Sequence, residues 1–181
     1  MKFMDLITKR QSVRGYSDKP VEREKIERCL EAARLAPSAC NAQPWKFIVV
    51  DEPELKDAVA GETFSKLVSF NRFTLTAPVL IIVVGEKPNL NSQIGGLVKN
   101  KQFHLIDIGI TVEHICLQAA EEGLGTCILG WFDEKSVKKL LNIPRQKRVE
   151  LMICIGYPAS DEIRPKTRKD LTQIVSFNHY E

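Results

Sequence analysis

The sequence predicts an α+β sandwich, and three observations carry that reading. Lys46-Phe-Ile-Val-Val50, Val79-Leu-Ile-Ile-Val-Val84 and Val149-Glu-Leu-Met-Ile-Cys-Ile155 are short, rich in β-branched residues and bounded by Gly, Pro or charge, as buried strands are. Helical patterns flank them without strict βαβα alternation, which argues against a doubly wound sheet. Phe103 to Glu122 is apolar around most of its circumference, and a helix apolar on nearly every side has to be covered on nearly every side.

In chain order, residues 2 to 9 place Phe3, Met4, Leu6 and Ile7 at roughly helical spacing, so a short helix delivers Arg10 and Ser12 at its C-terminal side. Val21 to Ala36 is a stronger helix, with Ile26, Cys29, Leu30 and Ala33 on one face, Glu22 and Glu24 in the first turn, and Pro37 as its stop. The strand at Lys46 follows a polar loop. Glu86 to Asn100, with Pro88 and Gly95-Gly96, breaks every period and reads as a mobile excursion. The helix at Phe103 to Glu122 comes next, expected to pack on the sheet on one side and on a partner subunit on the other, and Thr126 to Leu129 is a shorter candidate strand.

At 181 residues the chain fits one domain over 1–181, or one subunit of an intimate dimer. A formal charge of +3 is too small to imply nucleic acid. The five cysteines lack C-x-x-C spacing and are odd in number, which favours reduced thiols and a cytoplasmic protein. No apolar run approaches the ~20 residues of a membrane span, and no His or Cys set has metal-ligand spacing.

Three segments point to chemistry. Arg10, Ser12 and Arg14 alternate, so in an extended segment they present two guanidinium forks and a hydroxyl to one side, a match for phosphate oxygens. Lys166 and Arg168 repeat the spacing after Pro165, which favours extended backbone at Arg164. Taken alone, each group is also what solvent-facing cations look like. In the loop Ala36-Pro-Ser-Ala-Cys-Asn-Ala-Gln-Pro-Trp45, Ser38, Asn41 and Gln43 supply donors and acceptors suited to a flat heterocycle, or to the loop's own backbone. Cys40 is either a reactive thiol or a plain small residue, and the lack of a neighbouring cation in the sequence to lower its pKa favours the second. Gly123-Leu-Gly-Thr-Cys-Ile-Leu-Gly130 follows a helix and leads into a strand, the reverse of the order a dinucleotide-binding loop needs. Gly130 is then either a turn glycine or a place where backbone approaches a ligand.

Ile7-Thr-Lys-Arg-Gln-Ser-Val-Arg-Gly-Tyr16, the Ala36 to Trp45 loop, Gly123-Leu-Gly-Thr-Cys127 with Leu129-Gly-Trp-Phe-Asp133, Ile155-Gly-Tyr-Pro158 and Lys166-Thr-Arg168 together resemble the FMN-dependent nitroreductase family, in order and along nearly the whole chain. The resemblance implies a three-layer sandwich with a mainly antiparallel central sheet, an intertwined homodimer, and FMN at the subunit interface. It implies that Arg10, Gln11, Ser12, Arg14, Lys166 and Arg168 hold the phosphate and ribityl chain, with Gln11 standing where an arginine is common. Pro37, Ser38, Ala39, Asn41 and Gln43 would come from the neighbouring subunit, the backbone of Leu129 and Gly130 would approach the flavin edge, and Asn71 would face the ring. The activity implied is electron transfer from NAD(P)H through FMN to a nitroaromatic or quinone-type acceptor in two half-reactions, with no catalytic side chain. Reductive dehalogenation or flavin fragmentation on the same scaffold, and a flavin-binding or anion-binding dimer without turnover, are the alternatives.

Overall fold

Alternation along one central strand organises the molecule, whose computed structural model describes residues 2–180. In β2 (Val79–Gly85), Leu80, Ile82 and Val84 face one layer, while Val79, Ile81 and Val83 face the other. Every residue from Val79 to Val84 is buried, which the continuous β-branched run requires. Beside it lie β1 (Trp45–Val50) and β4 (Arg148–Gly156), and β3 (Gly125–Leu129) forms the far edge, in the order β1-β2-β4-β3 with every pairing antiparallel. A register shift at Val83/Val84 sets Glu150 as an extra residue. Val149 therefore joins the first layer while Leu151 joins the second.

The second layer holds α2 (Arg23–Arg34) and α5 (Phe103–Glu121), with Ile26, Cys29 and Ala33 packed near Ile108, Val112, Ile115 and Ala119. The first layer holds α3 (Pro53–Gly61) and α6 (Glu134–Leu140), through Val59, Ala60 and Val137. Neither α3 nor α6 has a counterpart in the expectations above, although each carries a start signal. Pro53 opens α3, and the Asp133 carboxylate accepts from the Lys135 and Ser136 amides. The N-terminal α1 (Phe3–Lys9) lies against α5.

One expectation needs correcting. Glu86 to Asn100 is not irregular throughout: Leu90–Lys99 is a helix, α4. Asn89 caps it, its Oδ1 accepting from the Ser92 amide at 3.0 Å. The chain returns so tightly that a Cβ on Gly96 would lie 2.8 Å from the Lys101 carbonyl, so Gly96 serves packing, while a Cβ on Gly95 would meet nothing within 4 Å. The long helix, expected to pack on the sheet on one side and on a partner subunit on the other, is buried within the chain at Ile108, Val112 and Ile115, while Leu105 and Ile106 are 41% and 55% exposed. No helix among the described residues is long and apolar enough to cross a membrane.

Candidate functional site

The N-terminal cations reach the site because an edge strand holds them there. After α1, Ser12 bridges to Thr126 of β3 in parallel fashion and the Val13 amide donates to the Thr126 carbonyl at 2.8 Å. Val13 is buried, and a Cβ on Gly125 would fall 2.5 Å from its Cγ2, so glycine is needed for this docking. With Val13 turned inward, Arg14 is left exposed on the other side, as alternation requires.

The C-terminal segment closes over this strip. Gln11 Nε2 donates to the Glu162 carbonyl at 2.8 Å, and its Oε1 accepts from Arg164 N and Nε, both at 3.2 Å. Arg164 Nη2 donates to the Ser12 carbonyl. Lys166 Nζ donates to the Ile7 carbonyl at 3.0 Å and to that of Arg10, satisfying carbonyls at the end of α1. The result is a cavity of about 320 Å³ lined by Arg10, Gln11, Ser12, Arg14, Arg164, Pro165, Lys166, Thr167 and Arg168. The two basic halves named from sequence thus meet.

The electrostatics of this cavity are those of a site for an anion. Burial, with Arg10 and Arg168 close by, lowers the pKa of Lys166. Arg10 Nε is buried and makes no hydrogen bond, although it lies 3.2 Å from Glu113 Oε1 as an ion pair. Among the described residues Arg14 has no ion-pair or hydrogen-bond partner for its guanidinium, while Arg164 and Lys166 are committed to backbone carbonyls. An orphaned guanidinium nitrogen, a free arginine and a set of cations in mutual repulsion fit a phosphate ester.

The loop between α2 and β1 is built differently. Cys40, Asn41 and Gln43 have φ of 53°, 50° and 45°, and none is glycine. Left-handed backbone costs L-residues roughly 1–2 kcal/mol each, so something must hold the loop. Within it, Ser38 Oγ accepts from the Gln43 amide and Asn41 Oδ1 from Gln43 Nε2, both at 3.0 Å. From outside, Asp107 Oδ1 of α5 accepts from the Ala39 amide at 3.0 Å, and Asn89 Nδ2 donates to the Cys40 carbonyl at 2.9 Å. Pro37, Asn41 and Gln43 stay exposed, and Ser38 and Ala39 half-buried.

No hydrogen bond or ion pair among the described residues joins these two groups. The loop rests on Asp107 and the basic cluster on Glu113, positions about 9 Å apart along α5 and about 120° apart around it. Leu129 is buried at the end of β3, Gly130 is exposed, and a Cβ built on Gly130 meets nothing within 4 Å. Asn71 is 4% exposed, and its Nδ2 donates to the carbonyls of Trp131 at 3.1 Å and Thr63 at 3.3 Å. Its amide nitrogen is therefore committed to pinning Trp131 beside Gly130. Trp131 itself is exposed, its ring 6.4 Å from that of Phe70. A larger groove, about 1040 Å³ around α6, is lined by Lys135, Lys139, Arg145 and neighbours and contains none of the residues singled out from sequence.

Sequence reasoning missed Arg164, Asp107 and Asn89. Arg164 continues the alternation of Lys166 and Arg168 one step back, a signal that was present. Asp107 stands as a lone acid between Ile106 and Ile108 in an apolar helix, where a charge needs a buried partner.

A sequence profile of the nitroreductase family matches residues 7–157. The chain belongs to the nitroreductase family. Its fold agrees with that of a solved FMN-dependent nitroreductase from Clostridium difficile R20291, which is 29% identical with a TM-score of 0.77 over 98% of this chain and 100% of that one. Two further relatives show the breadth of this nitroreductase group. An iodotyrosine deiodinase of Thermotoga neapolitana is 29% identical, covering 97% of this chain and 97% of its own. A Thermus thermophilus protein named NADH dehydrogenase is 28% identical, covering 92% of this chain and 91% of its own.

Proposed function

We propose that this chain is an FMN-dependent oxidoreductase of nitroreductase type, and the observation that carries the reading is the cavity where Arg10, Ser12 and Arg14 meet Lys166 and Arg168. Arg14 and Arg10 would grip the FMN phosphate, Ser12 would add a hydroxyl, and Lys166, with Gln11 and Arg164, holds the two strips at the right separation. Arg168 adds positive charge at the rim. When bound, FMN would supply the two-electron carrier that takes hydride from NAD(P)H and passes electrons to a nitroaromatic or quinone-type acceptor in alternate half-reactions.

The protein's part is binding and orientation. Ser38, Asn41 and Gln43, with the backbone of Pro37 and Ala39, offer donors and acceptors to the ring, and Leu129 and Gly130 leave an uncluttered backbone edge for it. Asn71 supports that edge through Trp131. Because the loop and the basic cluster lie on different sides of α5, a complete site requires the loop of a second copy. The exposed Leu105 and Ile106 on α5, with Phe3 and Met4 on α1, give that copy an apolar face to cover. We place the homodimer in the cytoplasm, acting on small molecules rather than nucleic acid, as one domain throughout.

The test is an anaerobic absorbance titration of the FMN-reconstituted protein with NADH and then NADPH. Bleaching of the flavin bands by either donor supports the reductase. Retained flavin that neither donor bleaches points to a binding role, and failure to retain flavin overturns the reading. The deiodinase relative favours one second reading, reductive removal of halide from a halogenated aromatic, which halide release from the reduced protein would reveal.

A further inference from the structure

We propose that Asp107 is the positioning residue of the flavin site, fixing the left-handed loop before β1 from beneath, and this rests on the reading that the loop faces FMN. Asp107 is 4% exposed and belongs to a polar stripe on an otherwise apolar helix face. One turn along, Thr111 Oγ1 donates to the Ala33 carbonyl at 2.8 Å near the end of α2, while Asp107 Oδ1 takes the Ala39 amide at 3.0 Å. The pair holds both ends of the segment that runs from helix to loop. Since α5 is packed into the second core layer, it acts as a rigid ruler for that segment.

The loop needs such a ruler. Cys40, Asn41 and Gln43 all hold positive φ, and no glycine relieves them. Its internal bonds, Ser38 to Gln43 and Asn41 to Gln43, tie the loop to itself but not to the fold. The outside side chains donating to or accepting from its backbone are Asp107 below and Asn89, whose amide grips the Cys40 carbonyl from the start of α4. Among the described residues Asp107 Oδ2 is buried without a hydrogen-bond partner, while Oδ1 is the oxygen that takes the Ala39 amide. Deleting the acceptor would free the Ala39 amide and let the loop relax toward ordinary backbone, moving Ser38 and Asn41 away from the ring while leaving the phosphate cavity intact.

The experiment compares Asp107→Ala, Asp107→Asn, Asp107→Leu and the parent protein by FMN fluorescence titration and by backbone amide hydrogen exchange at Ala39. Alanine should weaken FMN binding about 10-fold, as losing one charge-assisted bond does, and should deprotect the Ala39 amide. Asparagine, which keeps an acceptor oxygen, should restore both to within about 3-fold of the parent, whereas Asp107→Leu, which fills the same space without an acceptor, should stay as impaired as alanine, a split that a general packing role would not produce. Should the alanine variant fail to fold, Asp107→Ser, too short to reach the amide, takes its place. An alanine or serine variant with parental affinity and a protected Ala39 amide overturns the proposal. So does an asparagine variant as impaired as alanine. Parent protein that binds no FMN would instead overturn the flavin reading, and Ala39 exchange would still report whether Asp107 holds the loop.

Discussion

Among the cations of the basic cavity, commitment rather than proximity decides what each contributes. Arg14 has no ion-pair or hydrogen-bond partner for its guanidinium among the described residues, so Arg14→Ala should weaken FMN binding by ~10- to 100-fold while leaving the thermal midpoint of the cofactor-free protein unchanged. Lys166 holds the Ile7 and Arg10 carbonyls, so Lys166→Ala should weaken binding to a similar degree and also lower that midpoint. Fluorescence titration with thermal unfolding separates the two, and a midpoint unmoved in both variants would deny Lys166 its structural role. The cysteines divide as cleanly. Cys29, Cys116, Cys127 and Cys154 are buried, and burial pushes the Cys29 thiol up to about 12 and the Cys116 thiol up to about 11. Exposed Cys40 should be the one thiol that a disulfide reagent titrates in the native state, with all five titrating after unfolding. Residue types were legible because alternation of cations in extended backbone is a local pattern. That Lys166 would spend its protons on helix carbonyls was not, since that depends on where a segment far away in sequence ends.

Elements announced themselves in proportion to how much of their burial pattern was local. The strands at Lys46, Val79 and Val149 and the helices at Val21 and Phe103 each carry a full period in their own residues. Helix α4 does not, because Gly95 and Gly96 look like breakers until the returning chain at Lys101 shows why Gly96 is needed. Leu90, Ile94 and Val98 fall at helical spacing, but all three are exposed, so no core accompanied the pattern. Helices α3 and α6 are too short for a period to stand out, and their caps alone mark them. The docking of the N-terminal segment on β3 makes a specific prediction. Gly125→Ala would drive a Cβ into Val13 at 2.5 Å and should cost ~1–3 kcal/mol in urea unfolding. It should also weaken FMN, because Ser12 and Arg14 ride on the displaced segment. Full stability in that variant would mean that the parallel bridge between Ser12 and Thr126 is dispensable.

At the scale of the molecule, burial on one side of α5 only is the feature that a single chain leaves open. Ile106→Glu should shift a homodimer toward monomer in sedimentation without lowering monomer stability, since Ile106 is 55% exposed. An unchanged sedimentation profile would move the interface elsewhere. The buried thiols set the alkaline limit. With folded values raised above the ordinary 9.0, their contribution is complete at neutral pH and is lost as the pH climbs past 9.0 toward about 11 and 12, because the unfolded chain then loses protons that the folded chain retains. Urea midpoints should therefore be flat around neutrality and fall above about pH 9. The meeting of Gln11 with Arg164, 153 positions apart, has a consequence for biosynthesis. A nascent chain carries the first basic strip long before the second, which does not exist until translation has passed Arg168. Any phosphate-bearing ligand that needs both strips cannot act as a template for early folding. The sheet, whose last described strand ends at Gly156, can assemble first and receive its cargo only once Arg168 has been made.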